Sequence, residues 1–180
     1  MLYYIHGYQS EPNSTKGKLF KEKLDAIPIQ YRNCKPEELI VSECLKKINN
    51  KIKNDENTVL IGSSLGGFFA AKTAQKNRNV KQIILLNPAI IPPYYDITKI
   101  KDMPQTILTD MQDNSLFEKK IQTEIFILLG TEDDVVPNNW VLEFAKAQEA
   151  TLMFLHDDHS FTKNMYNLPN IIIKIIDKKH

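Results

Sequence analysis

The feature that most constrains the fold is an alternation of short apolar runs with longer amphipathic stretches. The apolar runs are rich in β-branched residues, and the stretches between them have helical spacing. This alternation is typical of βαβ units in a parallel sheet. It predicts strands at Leu2–Ile5, Thr58–Ile61, Gln82–Leu86, Glu124–Leu129 and Thr151–Leu155, and a weaker strand at Ile27–Gln30.

Four of these runs are apolar without any polar alternation: those at residues 59–61, 83–86, 125–129 and 152–155. Strands that helices cover on both faces have this pattern. The sequence therefore predicts the α/β class, with a mostly parallel central sheet and helices on both of its faces. The predicted helices are Ser14–Ala26, Glu37–Lys53, Leu65–Asn77, Asn139–Ala150 and Leu168–Asp177, the last of which could also be a strand because it begins with an apolar run.

Residues 88–118 interrupt the alternation. Four prolines fall in this segment, and its apolar residues show no clear period. An irregular segment of this length inside a compact domain is usually functional. We expect a single domain over residues 1–180, in which 88–118 form a short cap over the site.

Composition excludes several classes of function. The formal net charge is +1, and Arg32 and Arg78 are the only arginines. Such a chain has neither the field nor the guanidinium groups typical of a nucleic-acid reader or of a protein bound to anionic membranes. No stretch approaches the roughly 20 apolar residues that cross a bilayer. We expect a small-molecule substrate, no nucleic-acid or membrane partner, and a monomer or small homo-oligomer.

The cysteines and the first residues of the chain bear on the cellular compartment in which the protein is expected. Cys34 and Cys44 have neither CxxC spacing nor a matching histidine pair, so we expect buried reduced thiols rather than a disulfide or zinc site. The first residues lack the basic and apolar regions of a signal peptide. We expect a cytoplasmic protein that needs no cofactor and no metal.

The segment Gly62-Ser63-Ser64-Leu65-Gly66 fits the pattern G-x-S-x-G. It directly follows a predicted strand and precedes a predicted helix, which is the setting of a nucleophile elbow. Small residues two positions before and after the serine let the strand and helix backbones approach. Ser64 is therefore the candidate nucleophile, and the amide of Leu65 can donate to an oxyanion.

Three acids follow the strand at Glu124–Leu129: Glu132, Asp133 and Asp134. Ligand chemistry collects at the carboxyl ends of strands in open α/β sheets. We favour Asp133 as the catalytic acid, because a D-x-x-V-P run lets the valine and proline anchor the loop. Asp134 is the alternative, and a solvated acidic turn remains a credible role for Asp134 and Glu132.

Two histidines follow the last predicted strand. A general base must reach both the serine and the acid, so it belongs on a loop at the same end of the sheet. His159 fits, because three residues separate it from the strand, whereas we expect His156 to be partly packed at the strand end. The two histidines with Asp157 could also hold a metal, although no third ligand motif is apparent.

The order serine, acid, histidine is that of the α/β hydrolases rather than of chymotrypsin or subtilisin. A further element follows the first strand, at His6-Gly7-Tyr8. A glycine there lets the backbone bend over the site, so we expect the amides of Tyr8 and Leu65 to form the oxyanion hole. We expect His6 to hold this loop by hydrogen bonds and not to act as the base.

Taken together, these residues resemble the α/β-hydrolase superfamily, and most closely its small YqiA-type esterases. The similarity includes Leu2–Ser10, with its H-G-[FY]-x-S opening, the elbow at Ile61–Phe68, the turn Asn87-Pro88-Ala89, and the segments Leu129–Asp133 and His159–Phe161. The sequence departs from that family before the histidine, where Asp157 and Asp158 replace residues that are often Gly-rich. Position by position, the resemblance implies Ser64, Asp133 and His159 as a catalytic triad.

Membership of this family would imply hydrolysis of short carboxylic esters, with acyl-thioesters as a related substrate class. Four residues are candidates to line the acyl pocket, although core packing would explain each of them equally well: Phe68, Tyr94, Tyr95 and Met103. Two alternatives stand beside the esterase: a non-catalytic binding module on the same fold, and another reaction of the same triad (lyase, perhydrolase or peptidase), since fold and triad do not fix the substrate.

Overall fold

The strands form one six-stranded sheet in a computed structural model that describes residues 1–177. All of the strand pairings are parallel. The strands are β1 (Leu2–Ile5), β2 (Ile27–Pro28), β3 (Thr58–Ser63), β4 (Val80–Leu86), β5 (Glu124–Gly130) and β6 (Thr151–Leu155). Their order in the sheet is β2-β1-β3-β4-β5-β6, which confirms the predicted parallel sheet.

The helices follow the predicted positions with shifted ends. The second one begins at Val41, because Pro36–Glu38 form a short 3₁₀ turn and Leu39 and Ile40 are extended. The last one, for which a strand was the alternative, is helical. No helix within the described part of the chain is long and apolar enough to cross a membrane. The helices are α1 (Thr15–Leu24), α2 (Val41–Ile52), α3 (Leu65–Lys76), α4 (Gln105–Met111), α5 (Ser115–Glu118), α6 (Asn138–Gln148) and α7 (Leu168–Asp177).

Two hydrophobic cores lie on opposite faces of the sheet. Alternate strand residues contribute to each, so that Ile83 belongs to the first core and Ile84 to the second. Helices α2, α3 and α6 pack in the first core, and α1 and α7 pack in the second. The strands in the middle of the sheet are therefore buried on both faces, which explains their uninterrupted apolar sequence.

The outer strand β6 departs from the prediction that helices cover both faces. Met153 is 40% exposed and Phe154 is 55% exposed. The strand pairs only with β5, among the described residues, and lies at the edge of the sheet. An apolar run therefore indicated a strand correctly here, but not its burial.

The segment 88–118 is more ordered than its sequence suggests. It contains α4, α5 and a 3₁₀ turn at Ile97–Lys99. The ammonium of Lys72 on α3 forms an ion pair with Asp113, and it also donates to the hydroxyl of Ser115 at 3.3 Å. These contacts fix the segment against α3.

The topology determines where that site lies. Because every strand is parallel, the loops that follow β1, β3, β4, β5 and β6 all leave the same edge of the sheet. The chain order also reverses direction between β2 and β3, on the two sides of β1. Such a switch point opens a crevice at the carboxyl ends of the strands, where ligands bind in open α/β sheets.

Candidate active site

Ser64 occupies the sharp turn between β3 and α3. Its backbone has φ 54° and ψ −119°, in a region that non-glycine residues rarely adopt. Such a conformation costs about 1–3 kcal/mol and persists only where the surroundings hold it. Its N–H donates to the carbonyl of Leu86 at 2.9 Å, and its carbonyl accepts from Gly67 at 2.8 Å and Ala89 at 3.0 Å. This is the strand–turn–helix geometry of a nucleophile elbow.

The glycines on either side of Ser64 are required by close backbone contacts. A Cβ on Gly62 would lie 2.4 Å from the carbonyl oxygen of Gly66. A Cβ on Gly66 would lie 2.1 Å from the carbonyl oxygen of Ile5. Side chains at these positions would push α3 away from β1 and β3, so the glycines set the position of Ser64.

The candidate acid and base are in direct contact. Nδ1 of His159 lies 2.8 Å from Oδ2 of Asp133, and the Asp133 side chain is fully buried. Since a carboxylate only accepts hydrogen bonds, Nδ1 donates, and Nε2 is left free to accept a proton. The other carboxylate oxygen of Asp133 accepts from the amides of Val135 and Val136, both at 2.9 Å. The D-x-x-V-P run therefore fixes the carboxylate toward the imidazole.

Glu132, Asp134 and His156 do not take part in the contact between Asp133 and His159. Glu132 is exposed and pairs with Lys163 at 2.6 Å and with His156 at 3.5 Å. Asp134 is also exposed. His156 is 76% exposed rather than partly packed, because it directly follows β6 at the edge of the sheet. Among residues 1–177, no cluster of three acidic, histidine or cysteine side chains is arranged to hold a metal.

Asp157, one of the acids that replace Gly-rich residues, holds the loop of His159 together. Its carboxylate accepts hydrogen bonds from the amides of Asp158, Lys163 and Asn164 and from the side chain of Asn164. Burial alone would raise the pKa of Asp157, but these hydrogen bonds bring it below its usual range. Asp158 similarly accepts from the amide of Thr162 at 3.0 Å. Both carboxylates therefore act on the loop backbone.

The loop after β1 passes directly beside Ser64. A Cβ built on Gly7 would lie 3.3 Å from Cβ of Ser64. The next residue, Tyr8, lines a cavity that Ser64 also lines. The guanidinium of Arg32 donates to the carbonyl of Tyr8 at 2.8 Å and so braces this loop. Leu65 is the first residue of α3, where a helix amide has no carbonyl partner within the helix. Both predicted oxyanion-hole residues therefore border Ser64.

His6 also supports the loop after β1, through a hydrogen bond and a ring contact. Its Nδ1 donates to the carbonyl of Gly7 at 2.9 Å, and its ring stacks on Tyr31 with 4.3 Å between centroids. The Tyr31 hydroxyl in turn donates to the carbonyl of Gly7 at 3.2 Å. Burial, against a smaller opposing effect of the Gly7 hydrogen bond, lowers the pKa of His6 to about 4. His6 is therefore neutral at pH 7 and is directed at the backbone.

Ser64 and His159 line one cavity of about 780 Å³. Among the described residues, the Ser64 hydroxyl makes no hydrogen bond with the imidazole. Catalytic hydrogen bonds often tighten only when substrate is bound. The structure thus joins the acid to the base and places the serine in the same cavity.

Of the four candidate acyl-pocket residues, Met103 lines this cavity. The described lining does not include the other three. Phe68 is fully buried in the first core beside Phe69, because α3 directs it at the sheet. Tyr94 is 68% exposed and hydrogen-bonded to Glu143, and Tyr95 packs on Trp140 at 4.5 Å between ring centroids.

Sequence reasoning missed the residues that hold the loops. Tyr31, Arg32 and Asp157 brace them as described above, and Asn87 joins two of them. One available signal was the scarcity of arginine, since Arg32 is one of two in the chain. Another was the turn Asn87-Pro88-Ala89, which directly follows a strand and is similar to a turn of the YqiA-type esterases.

Comparison with solved structures shows the same fold. Est1E from Butyrivibrio proteoclasticus, solved with ferulic acid bound, has a TM-score of 0.81 at 17% identity, with 99% of this chain and 89% of that chain covered. Mouse alpha/beta hydrolase domain-containing protein 10 has a TM-score of 0.74 at 18% identity, with 99% of this chain and 90% of that chain covered. Paleococcus ferrophilus monoacylglycerol lipase has a TM-score of 0.74 at 15% identity, with 96% of this chain and 92% of that chain covered. The chain thus has the α/β-hydrolase fold.

The family follows from the sequence itself. The model of a family described as "Uncharacterised protein family (UPF0227)" matches residues 1–175, so the chain belongs to that family. This confirms the resemblance drawn from the motifs. No curated protein shows significant sequence similarity to the chain.

Proposed function

We propose that this protein is a serine esterase that hydrolyses short-chain carboxylic esters, and acyl-thioesters, through Ser64, His159 and Asp133. The observation that carries the proposal is the 2.8 Å contact between a buried Asp133 and His159, which lines the same cavity as Ser64 on its strained turn. The similarity to a monoacylglycerol lipase agrees with an ester substrate.

In the proposed reaction, Nε2 of His159 accepts the proton of the Ser64 hydroxyl as its oxygen attacks the ester carbonyl. The amides of Tyr8 and Leu65 stabilise the tetrahedral oxyanion. Asp133 holds the tautomer in which Nε2 is unprotonated and stabilises the imidazolium that forms. The alcohol then leaves with the proton from His159, and Ser64 retains the acyl group.

Deacylation repeats the sequence with water in place of the serine hydroxyl. His159 accepts a proton from the water as its oxygen attacks the acyl carbonyl, and then returns that proton to Ser64 as the acid leaves. Neither half of the reaction requires a group beyond the three side chains and the two amides.

The cavity has an apolar wall and a polar wall, which come from opposite sides of the sheet edge. The apolar wall belongs to segment 88–118 and α6, and it can accept an acyl chain. Its apolar residues include Ile91, Ile100, Met103, Leu108, Met111 and Trp140, and Asp102 of the same segment also lines the cavity. The polar wall belongs to the loop after β1, the start of α1 and the loop that carries His159. Its residues are Gln9, Ser10, Ser14, Thr15, Lys16 and Ser160.

Lys16 gives the polar wall a positive charge. The side chain is half-buried, and no ion pair or hydrogen bond to it is formed within residues 1–177. Burial lowers the pKa of Lys16, and the carboxylates of Asp158 and Asp157 partly offset this. A leaving group that carries a phosphate or carboxylate would give this ammonium a partner. Coenzyme A thioesters belong to that class.

A substrate panel tests this proposal. The purified protein is assayed with p-nitrophenyl esters of increasing acyl length, beside acyl-CoA, amide and cyanohydrin substrates. We expect hydrolysis of short esters and thioesters and no turnover of the amide or cyanohydrin. Turnover of the cyanohydrin or amide in preference to every ester would contradict the esterase assignment.

The leaving-group preference is tested with Lys16→Ala, using the exposed Lys18→Ala on the same helix as the control. A charge-assisted hydrogen bond contributes about 1.5–3 kcal/mol. The ratio of kcat/KM for butyryl-CoA to that for p-nitrophenyl butyrate should therefore fall roughly tenfold or more in Lys16→Ala. An unchanged ratio, or an equal fall in Lys18→Ala, would show that Lys16 does not contact the leaving group.

A further inference from the structure

Asn87 joins the loop of the acid to the loop of the base. It follows β4, is fully buried and has a φ of 43°. Its side-chain oxygen accepts a hydrogen bond from the amide of Gly130 at 2.7 Å. Its side-chain nitrogen donates to the carbonyls of Asp158 at 3.2 Å and of His159 itself at 3.1 Å. One carboxamide thus spans the end of β5 and the backbone of the candidate base.

We propose that Asn87 is a positioning residue for His159. Through its carboxamide it holds the imidazole at the separation from Asp133 that the hydrogen bond between them requires. This inference rests on the proposed function, because it concerns the geometry of the proposed triad.

The surrounding backbone shows why a carboxamide is needed at this point. The main chains of the two loops are in direct contact beside it, since a Cβ on Gly130 would lie 2.7 Å from the carbonyl oxygens of both Asp157 and Asp158. The amide of Glu132 pairs with the carbonyl of Asp157 at 2.9 Å. Asn87 satisfies the next two carbonyls along the chain, those of Asp158 and His159, and so continues the pairing up to the base.

Asn87 is itself fixed by the sheet. Its backbone N–H donates to the carbonyl of Leu128 on β5 at 3.0 Å. The next residues contact the elbow, because the amide of Ala89 donates to the carbonyl of Ser64 at 3.0 Å. The turn at Asn87 therefore contacts the loops of all three proposed catalytic residues.

Loss of the carboxamide should act on catalysis through the position of His159. In Asn87→Ala, a buried N–H and two part-buried carbonyls lose their partner, which such groups tolerate only by moving or by admitting water. A displacement of about 1 Å at a catalytic group can lower the rate by roughly 100-fold. We therefore expect kcat to fall roughly 10- to 100-fold, with little change in KM, because Asn87 does not line the described cavity.

The chain provides a matched control in Gln148. Its buried carboxamide also accepts one backbone hydrogen bond, from Ile121 at 2.8 Å, and donates two, to Leu116 at 2.7 Å and Lys119 at 3.0 Å. These contacts join the end of α6 to α5 and the residues that follow it. None of the four residues lines the described cavity or belongs to the loops of the three proposed catalytic residues. Gln148→Ala should therefore lose stability to a similar degree and keep its kcat.

The kinetic test compares wild-type protein, Asn87→Ala and Gln148→Ala with one p-nitrophenyl ester, at a temperature where thermal melts show all three folded. A selective fall of kcat in Asn87→Ala supports the inference. Equal kcat values in the two variants, or a change confined to KM, would overturn it. If Asn87→Ala does not fold, Asn87→Asp takes its place, because it keeps the volume and the acceptor for Gly130 but removes the donor to His159.

A spectroscopic test separates this inference from the proposed function. The proton on Nδ1 of His159 should give a downfield ¹H NMR signal that disappears in Asp133→Ala. We expect the signal to be lost or shifted in Asn87→Ala and retained in Gln148→Ala, whether or not the protein hydrolyses any ester. An unperturbed signal in Asn87→Ala would overturn the positioning role. An altered signal in a protein that cleaves no ester would leave that role standing and contradict the esterase proposal alone.

Discussion

At the scale of single residues, the candidate site depends on side chains whose roles are set by burial. His6 is 1% exposed and its Nε2 has no partner within the described part of the chain. The side chain of His159 is 19% exposed and faces the cavity. The two histidines therefore have different roles: neutral His6 supports the loop after β1, and His159 is the proposed base.

The buried neutral state of His6 predicts an acid-sensitive fold. Its pKa is about 4 in the folded protein against 6.5 when unperturbed, so between these values the unfolded state binds the extra proton. The contribution of His6 to the free energy of unfolding is then largest above pH 6.5 and is lost progressively as the pH falls toward 4. The difference corresponds to about 3 kcal/mol at roughly 1.4 kcal/mol per pKa unit.

This contribution is measured from the free energy of unfolding between pH 7.5 and pH 4 for the wild type and His6→Gln. The carboxylates contribute to the slope in both proteins, and the difference between the two slopes reports His6. The wild type should lose more stability than the variant over this interval. Parallel curves would show that His6 takes up its proton without unfolding the loop.

The positions of candidate site residues were predictable from the sequence where each residue follows a strand of the sheet. Ser64, Asp133 and His159 each follow a strand, and the parallel sheet brings such loops to one edge. The choice of Asp133 over Asp134 depended on the anchoring of one loop, which the amides of Val135 and Val136 provide. Asn87 acts instead on loops more than 40 residues away in the chain, and no local pattern reports such a contact.

At the scale of secondary-structure elements, the elbow is tightly constrained by close backbone contacts. The helix α3 begins immediately after Ser64, and ten of its twelve residues are buried. The backbone of Gly66 lies against the carbonyl groups of Ile5 and His6 on one side of the turn. A change in this contact moves the helix relative to β1 and β3.

Gly66→Ala should therefore destabilise the whole fold. Overpacking in a dense core costs about 1–3 kcal/mol, and the predicted Cβ contact of 2.1 Å with backbone cannot relax by rotamer change. Gly7→Ala is the matched comparison, since its closest contact is 3.3 Å. Chemical denaturation of both variants should show the larger loss in Gly66→Ala. An equal loss would mean that α3 moves freely.

The elements themselves were predicted well where packing and pattern agree. Runs such as the one in β4 lie between two cores, and both its position and its burial followed from the sequence. The apolar run of β6 has the same character, yet an edge position leaves much of it exposed. Strand order is decided by pairing between distant segments, so burial at the edge was not predictable from the run alone.

At the scale of the whole molecule, the cavity is formed by two groups of segments on opposite sides of the sheet edge. Segment 88–118 was expected to cover the site, and Ile100, Met103 and Leu108 do line the cavity. The aromatic residues chosen for the acyl pocket lie elsewhere, as Phe68 and Tyr94 show. Hydrophobicity does not distinguish a side chain packed in the core, such as Phe68, from one exposed at the surface, such as Tyr94, or from one that lines a cavity.

The central claim is that Ser64 is a nucleophile activated by His159, and its most direct measurement is labelling with a fluorophosphonate. We expect one covalent adduct on the folded wild type, located at Ser64 by peptide mass mapping, much slower labelling of His159→Ala, and none of Ser64→Ala. Ser64→Ala should also lower kcat by about 10⁴- to 10⁶-fold. An adduct at another residue, or ester hydrolysis in Ser64→Ala within tenfold of the wild type, would contradict the claim.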